Sequence, residues 1–231
     1  MKLSVIIACY NEKTTILKAI EEAMSLSVDK EIIVIDNCSK DGTQEILKNI
    51  KDKTIKLVFN KKNFGVGYSI QESIKLAQGE YFYSPWADLE YKMADVYKMI
   101  DKLEKENLDA VFGSRLVERK NVSRWVLIKE RPYWLGSIIA TFFINLLYKR
   151  KFTDIIATKL IKTSILKNMN FDSYNQAFEF ELVSRLCKKG CKIGGEVPVW
   201  YKPRTHKEGK TIKAADMIPA LIAIFKVKFI G

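Results

Sequence analysis

Apolar residues along the chain fall into two alternating patterns. Residues 3–9, Leu-Ser-Val-Ile-Ile-Ala-Cys, are a nearly continuous apolar run rich in β-branched side chains, as expected of a strand covered on both faces. Similar runs recur at 31–36, 55–59, 80–84 and 109–113. Between them, 13–26, 42–51, 66–78 and 92–106 carry apolar residues three and four apart, the spacing of a helix with one buried stripe. This alternation predicts an α/β fold, a mostly parallel twisted sheet flanked by helices, because each parallel crossover needs a helix. Ligands in such sheets bind beyond the carboxyl ends of the strands. The polar residues that close each run are therefore the first candidates for chemistry.

Those residues are Tyr10-Asn11-Glu12 after the first run, Asp36-Asn37 after the second, Trp86-Ala87-Asp88-Leu89-Glu90 after the fourth and Arg115 after the fifth. No G-x-G-x-x-G follows the first run and no G-x-x-x-x-G-K-[ST] occurs anywhere, which argues against a dinucleotide-binding fold or a P-loop. Carboxylates at that edge suit ribose hydroxyls, base N–H groups or a divalent metal that in turn holds phosphates.

In order and spacing, six segments resemble family 2 glycosyltransferases of the GT-A fold. They are Ser4-Val-Ile-Ile-Ala-Cys-Tyr-Asn-Glu12, Ile33-Val-Ile-Asp-Asn-Cys-Ser-Lys-Asp-Gly-Thr43, Asn63-Phe-Gly-Val-Gly67, Gly79-Glu-Tyr-Phe82, Ala87-Asp-Leu-Glu90 and Gly113-Ser-Arg115. Within the family the nearest likeness is to dolichyl-phosphate mannose synthases and related polyprenyl-phosphate glycosyltransferases. The resemblance implies a catalytic domain over 1–213, with a nucleotide-sugar half to about 115 and an acceptor half over 116–213, followed by an apolar, basic helix in 214–231. It implies that Tyr10, Glu12 and Asp36 bracket the nucleoside, and that Asp88 and Glu90 hold Mg²⁺ or Mn²⁺. Arg115, Arg131 and Ser137 would hold the acceptor phosphate, and Arg204 and Lys210 would belong to a basic loop closing on the donor diphosphate. Asp88, Arg115 and the helix-borne Glu181 are the candidate catalytic residues, and Asp154 sits in a turn where relatives carry an aspartate.

Two positions depart from the family pattern. Asn37-Cys38 stands where Asp-Gly is usual, and Trp86 replaces the first acid of the D-x-D motif. The implied reaction is inverting transfer of a sugar from a nucleoside diphosphate to a polyprenyl phosphate, which is already ionised near neutral pH and needs no strong base. Two other outcomes stay open. One is transfer to a sugar hydroxyl of a surface glycan with Glu181 or Asp154 as base; the other is a protein that binds nucleotide sugar or lipid phosphate without turnover.

Composition adds a partner class. The 231 residues are 48% hydrophobic and 29% charged, the balance of a folded chain, and the net charge of +12 calls for an anionic partner. Six basic residues lie between Arg115 and Arg131, and five between Lys202 and Lys213. No nucleic-acid module is present in the sequence, so lipid headgroups and phosphorylated substrates are the expected partners, not nucleic acid. Four scattered cysteines and a single histidine, His206, suit a reducing, cytoplasmic setting and leave a zinc site short of ligands.

Tyr133 to Tyr148 is apolar except for a stripe of Ser137, Thr141 and Asn145 continuing to Lys149. As a helix it covers about 24 Å, short of the roughly 30 Å hydrocarbon core of a bilayer. With basic flanks and aromatic ends, it and the apolar tail over 214–230 read as amphipathic interfacial helices. They imply a peripheral protein at the cytoplasmic face of a membrane.

Overall fold

A computed structural model of the chain describes residues 2–119, 121–123, 126–127, 129, 134–204 and 217–230. Strands β1 (Leu3–Cys9), β2 (Lys30–Asp36), β3 (Ile55–Phe59), β4 (Tyr81–Tyr83) and β5 (Ala110–Ser114) occupy the five apolar runs to within one residue at each end. Helices α1 (Ile16–Ser25), α2 (Thr43–Lys48), α3 (Val66–Leu76) and α4 (Val96–Glu106) lie inside the periodic stretches between them. The second half contributes α5 (Trp134–Tyr148), β6 (Lys159–Lys162), α6 (Thr163–Lys167), α7 (Phe178–Lys188), β7 (Val197–Pro198) and α8 (Met217–Phe229).

The strands form one sheet in the order β3-β2-β1-β4-β6-β5-β7. Pairing is parallel except at β6, which runs antiparallel to both β4 and β5. Alternate side chains of β1 face opposite layers. Leu3, Val5, Ile7 and Cys9 pack with Ile16, Ala19, Ile20 and Ala23 of α1 and with Val96, Met99 and Leu103 of α4. Ile6 and Ala8 join Ile70 and Ile74 of α3, Ala140 and Ile144 of α5, Phe178 and Leu182 of α7, and Ile224 of α8. Both faces are thus covered, which is why the strands read as continuous apolar runs.

Because the chain starts at β1, moves outward to β3 and returns to β4 on the other side of β1, the strand order reverses between β1 and β4. The loops leaving these two strands diverge there, leaving a crevice at the carboxyl edge. Side chains fix the loops. Asn11 Oδ1 accepts from the Lys40 N–H, Thr43 Oγ1 from the Glu12 N–H and Asp41 Oδ2 from the Lys13 N–H. Asp41 Oδ1 also accepts from the Thr43 N–H at the opening of α2.

Asn37 explains its own departure from the family pattern. Its Oδ1 accepts from Asn60 Nδ2 and the Phe64 N–H, and its Nδ2 donates to Asn63 Oδ1. It ties the end of β2 to the loop after β3.

Helices α5 and α8 pack together closely enough that a Cβ on Gly136 would lie 2.6 Å from Met217 Sδ. The polar stripe of α5 is consumed internally: Ser137 donates to the Trp134 carbonyl, Thr141 to the Ser137 carbonyl, and Asn145 exchanges two bonds with the Phe152 backbone. Leu135, Phe142 and Leu146 of α5 and Ile218, Ile222, Phe225 and Phe229 of α8 remain exposed. Phe143 and Phe225 meet edge-to-face, which joins the two faces. Among the described residues no helix is long and apolar enough to cross a membrane.

Candidate active site

Asp36 ends β2, and Asp88 and Arg115 follow β4 and β5, so the sheet places all three along one rim. Within it, two clusters form. The first gathers Glu12 from the loop after β1, Asp88 and Glu90 from the loop after β4, and Arg204 from the segment after β7. Arg204 grips Glu12 with both ends of its fork, Nη1 to Oε2 at 2.8 Å and Nη2 to Oε1 at 3.0 Å. Its Nη2 also lies 3.6 Å from Asp88 Oδ2, and its backbone N–H donates to Glu90 Oε1 at 2.8 Å. Burial, and then the neighbouring Glu90, push the Asp88 carboxyl up to about 6 against the pull of Arg204. The loop that carries these acids is bent sharply, with Trp86 and Leu89 at φ of 70° and 56°. A bulky residue holds left-handed backbone only where its surroundings impose it.

The second cluster is deeper. Arg115 is buried, and its Nε and Nη2 donate to the two oxygens of Asp154 at 2.6 and 2.9 Å. The rings of Trp134 and Tyr201 lie over the guanidinium. Burial alone would raise the Asp154 carboxyl; the Arg115 charge outweighs it and holds the group below its ordinary range. Glu196 braces the same turn by accepting from the backbone N–H groups of Thr153 and Asp154. Burial pushes the Glu196 carboxyl up to about 7. Tyr91 and Tyr201 pair as a short antiparallel bridge, their rings 5.1 Å apart. Because Tyr201 also roofs Arg115 and the Lys202 N–H donates to the Glu90 carbonyl, this bridge links the two clusters.

The remaining sequence candidates divide. Tyr10 is 42% exposed at the rim, leaving its ring open for stacking. Asp36 is fully buried; its Oδ2 accepts from the Ser39 N–H and from Gln44 Nε2. Ser137 lies one helical turn beyond Trp134, its hydroxyl on the Trp134 carbonyl. Glu181 is buried with its carboxylate on the Asp172 and Ser173 N–H groups and on Arg185 Nε. Arg131 and Lys210 lie outside the described residues, as do Arg124, Trp125 and His206.

Sequence reasoning passed over Glu179. It pairs with the buried Lys159 at the start of β6, and both line a small cavity with Trp86, Ser84 and Thr158. The spacing Phe178-Glu179-Phe180-Glu181 put two acids in the first turn of α7. A helical wheel turns them about 200° apart, but only the fold says which one faces the rim.

For a metal the donor set is thin. Trp86 supplies no oxygen, and Asp88, Glu90 and Glu12 converge on the Arg204 guanidinium. Among the described residues no group of three or more His, Cys, Asp or Glu side chains is arranged to hold an ion. In this arrangement the acids do not fit a metal, and no step below is routed through one.

The family model described as Glycosyl transferase family 2 matches residues 4–169. The chain belongs to glycosyltransferase family 2. The glycosyltransferase is 33% identical over 200 residues to an uncharacterized protein of Methanocaldococcus jannaschii, an alignment covering 81% of this chain and 83% of that one. It is 31% identical over 134 residues to a Pyrococcus furiosus protein named dolichol-phosphate mannosyltransferase, covering 56% of this chain and 38% of the relative. A Borreliella burgdorferi protein named cholesterol galactosyltransferase is 30% identical over 207 residues, covering 83% and 57%. The glycosyltransferase therefore spans little more than a third and little more than half of these last two.

Among solved structures, glucosyl-3-phosphoglycerate synthase of Mycobacterium tuberculosis, in complex with Mn²⁺, UDP and glucosyl-3-phosphoglycerate, superposes with a TM-score of 0.67 at 16% identity, covering 100% of this chain and 81% of that one. S. aureus TarS 1–349 gives 0.63 at 17% identity, covering 99% and 72%. These likenesses establish the GT-A fold.

Proposed function

We propose that this glycosyltransferase moves one sugar, with inversion, from a nucleoside diphosphate to the phosphate of a polyprenol presented at a membrane surface. One juxtaposition carries the proposal: the acid and arginine rim adjoins the N-terminal end of α5 through Arg115 and Trp134, and that helix continues into the exposed apolar face shared with α8. A water-soluble acceptor would have no use for such a face, whereas a lipid phosphate needs charge at one end and apolar surface beside it. The relative named dolichol-phosphate mannosyltransferase supports the same acceptor class.

In this scheme Tyr10 stacks on the base, while Asp36, fixed by Ser39 and Gln44, shapes the nucleoside pocket. Glu12, Asp88, Glu90 and Arg204 face the diphosphate, with Lys210 as a further cation. Of the three residues expected to hold the acceptor phosphate, Arg131 is left as the direct cation: the Arg115 fork is taken by Asp154 and the Ser137 hydroxyl is spent on the Trp134 carbonyl, so these two shape the acceptor side from behind. Attack by an ionised phosphate oxygen requires no base, so rate rests on alignment and charge compensation. The protein acts peripherally at the cytoplasmic face of a membrane, with the α5 and α8 face against the lipid. The mycobacterial neighbour's complexes hold Mn²⁺ or Mg²⁺ with UDP, whereas here the acids at that place are engaged by Arg204, and the scheme uses no metal.

A second reading is favoured by one cavity. A lipid hydroxyl would need a base, and Glu179, paired with Lys159 in the cavity beside Trp86, would serve as one; the relative named cholesterol galactosyltransferase supports that acceptor.

One experiment separates the two. Nucleoside-diphosphate sugars are offered with polyprenyl phosphate, and separately with cholesterol, in anionic vesicles, using wild type, Asp88→Ala and Glu179→Gln. The first reading expects glycolipid from polyprenyl phosphate, lost in Asp88→Ala and kept in Glu179→Gln. Product from the hydroxyl lipid alone, falling about a hundred-fold or more in Glu179→Gln, replaces it with the second. No product from either lipid refutes both.

A further inference from the structure

Away from the rim, the chain gathers a second basic region that sugar transfer does not use. Helices α5, α7 and α8 run in the same sense: α5 starts at Trp134 over Arg115, α8 starts beside Gly136, and α7 starts at the cavity shared by Glu179 and Lys159. Their other ends meet. Arg150 after α5 donates to the Cys191 carbonyl beyond α7, Lys188 at the end of α7 donates to the Val227 carbonyl of α8, and Lys228 of α8 lies over the Tyr148 ring of α5. The Lys192 N–H donates to Asp109 just before β5. This junction therefore lies at the edge of the sheet opposite Arg115, about 22 Å away along α5.

Residues 134–151, 182–192 and 217–230 contain nine lysines and arginines and no acid. Part of that charge is ordinary helix chemistry: cations offset the negative ends of helix dipoles, and Glu181 and Asp172 take up Arg185 and Lys226. Magnitudes leave a surplus. Three helix ends amount to about −1.5 charges against nine positive ones, and Lys149, Lys151, Lys189 and Lys192 stand exposed. Apolar surface adjoins them. Phe229 and Ile230 at the tip of α8 are 69% and 82% exposed, and Ile218, Ile222 and Phe225 continue that face back along the helix. A nucleic acid or a soluble anion would use the charge and leave the apolar tip in water, whereas a bilayer with anionic headgroups uses both.

We propose that this junction is a headgroup site for anionic phospholipid. Its lysines sit among the lipid phosphates while Phe229 and Ile230 enter the acyl layer, which pins the far end of α5 and α8 and lays both helices along the surface. The inference rests on reading the α5 and α8 face as the one turned to lipid.

The test is co-sedimentation of the full chain with phosphatidylcholine vesicles, with and without phosphatidylglycerol, in the absence of nucleotide and acceptor. Wild type is expected to bind the anionic vesicles at least about ten-fold more tightly, because each lysine near such a surface adds to the attraction. Lys149→Glu, Lys151→Glu and Lys189→Glu combined should erase that preference; should this variant fail to melt as a folded protein, Gln at the same three positions carries the same expectation. A control of equal net charge reverses the exposed Lys18, Lys51 and Lys105, remote from the junction, and is expected to stay within about two-fold of wild type. Equal losses in both triple variants would assign the attraction to the overall charge of +12 and overturn the proposal, as would tighter binding to a single-stranded oligonucleotide than to the anionic vesicles. Neutral vesicles bound as tightly as anionic ones would overturn it and keep the lipid-facing reading of α5 and α8; binding to neither would overturn both.

Discussion

Two arginines at the same rim each grip carboxylates with a bidentate fork, and they differ in what surrounds them. Arg115 is enclosed: its partner Asp154 is fully buried, Glu196 braces the turn behind it, and Trp134 and Tyr201 roof it. Arg204 keeps a fifth of its side chain in solvent, and one of its three acids stands 3.6 Å away. The same chemistry thus builds a fixed brace in one place and a releasable contact in the other. Breaking a fully buried pair strands a charge in a low-dielectric interior, while opening a half-buried one leaves each charge partly in water.

Removing each arginine should expose that difference. Arg115→Ala is expected to lower unfolding stability by about 3–5 kcal/mol, read from the urea midpoint, because Asp154 is left buried and unpaired. A loss no larger than that of an exposed pair would erase the contrast. Arg204→Ala is expected to cost less, about 1–3 kcal/mol, in the same measurement, because its pair with Glu12 keeps part of its surface in solvent. A stability loss comparable to that of Arg115→Ala would make Arg204 a second brace and not a releasable contact.

A third expected effect is a pH slope on the brace alone. The Glu196 carboxyl rises from an ordinary 4.5 to about 7 in the fold, so the folded chain binds the proton more tightly than the unfolded one. Its contribution to stability is therefore full below about 4.5 and is lost as pH rises through about 7. Melting temperature should fall between those values in wild type, and this part of the slope should vanish in Glu196→Gln. An unchanged slope in that variant would assign the titration elsewhere.

The distinction between fixed brace and releasable contact was not legible in the sequence, although its ingredients were. Arg115, Asp88 and Glu12 stood out because each follows a strand in a β-α alternation. Nothing local tells that Asp154, thirty-nine positions on, takes both ends of the Arg115 fork. Nor does the chain announce that Arg204 meets Glu12 across 192 residues. Glu181 and Glu179 share one helix turn, and only docking of α7 sends the first to a loop and the second to the cavity beside Trp86. β6 escaped for a related reason: Lys159-Leu-Ile-Lys162 is too short and too charged to show a period. Its lysines are nevertheless accounted for, Lys159 by Glu179 and Lys162 by Asp109.

What the sequence determined by itself was the layered sheet, the rim and the apolar stretches of α5 and α8, because apolar periodicity and strand-end chemistry act over a few residues. The family followed from motifs in serial order. The tertiary structure alone decided which charges are spent on each other and which can face a ligand. An ion pair depends on the distance and burial of two groups, and those are set by packing between segments that the chain keeps far apart.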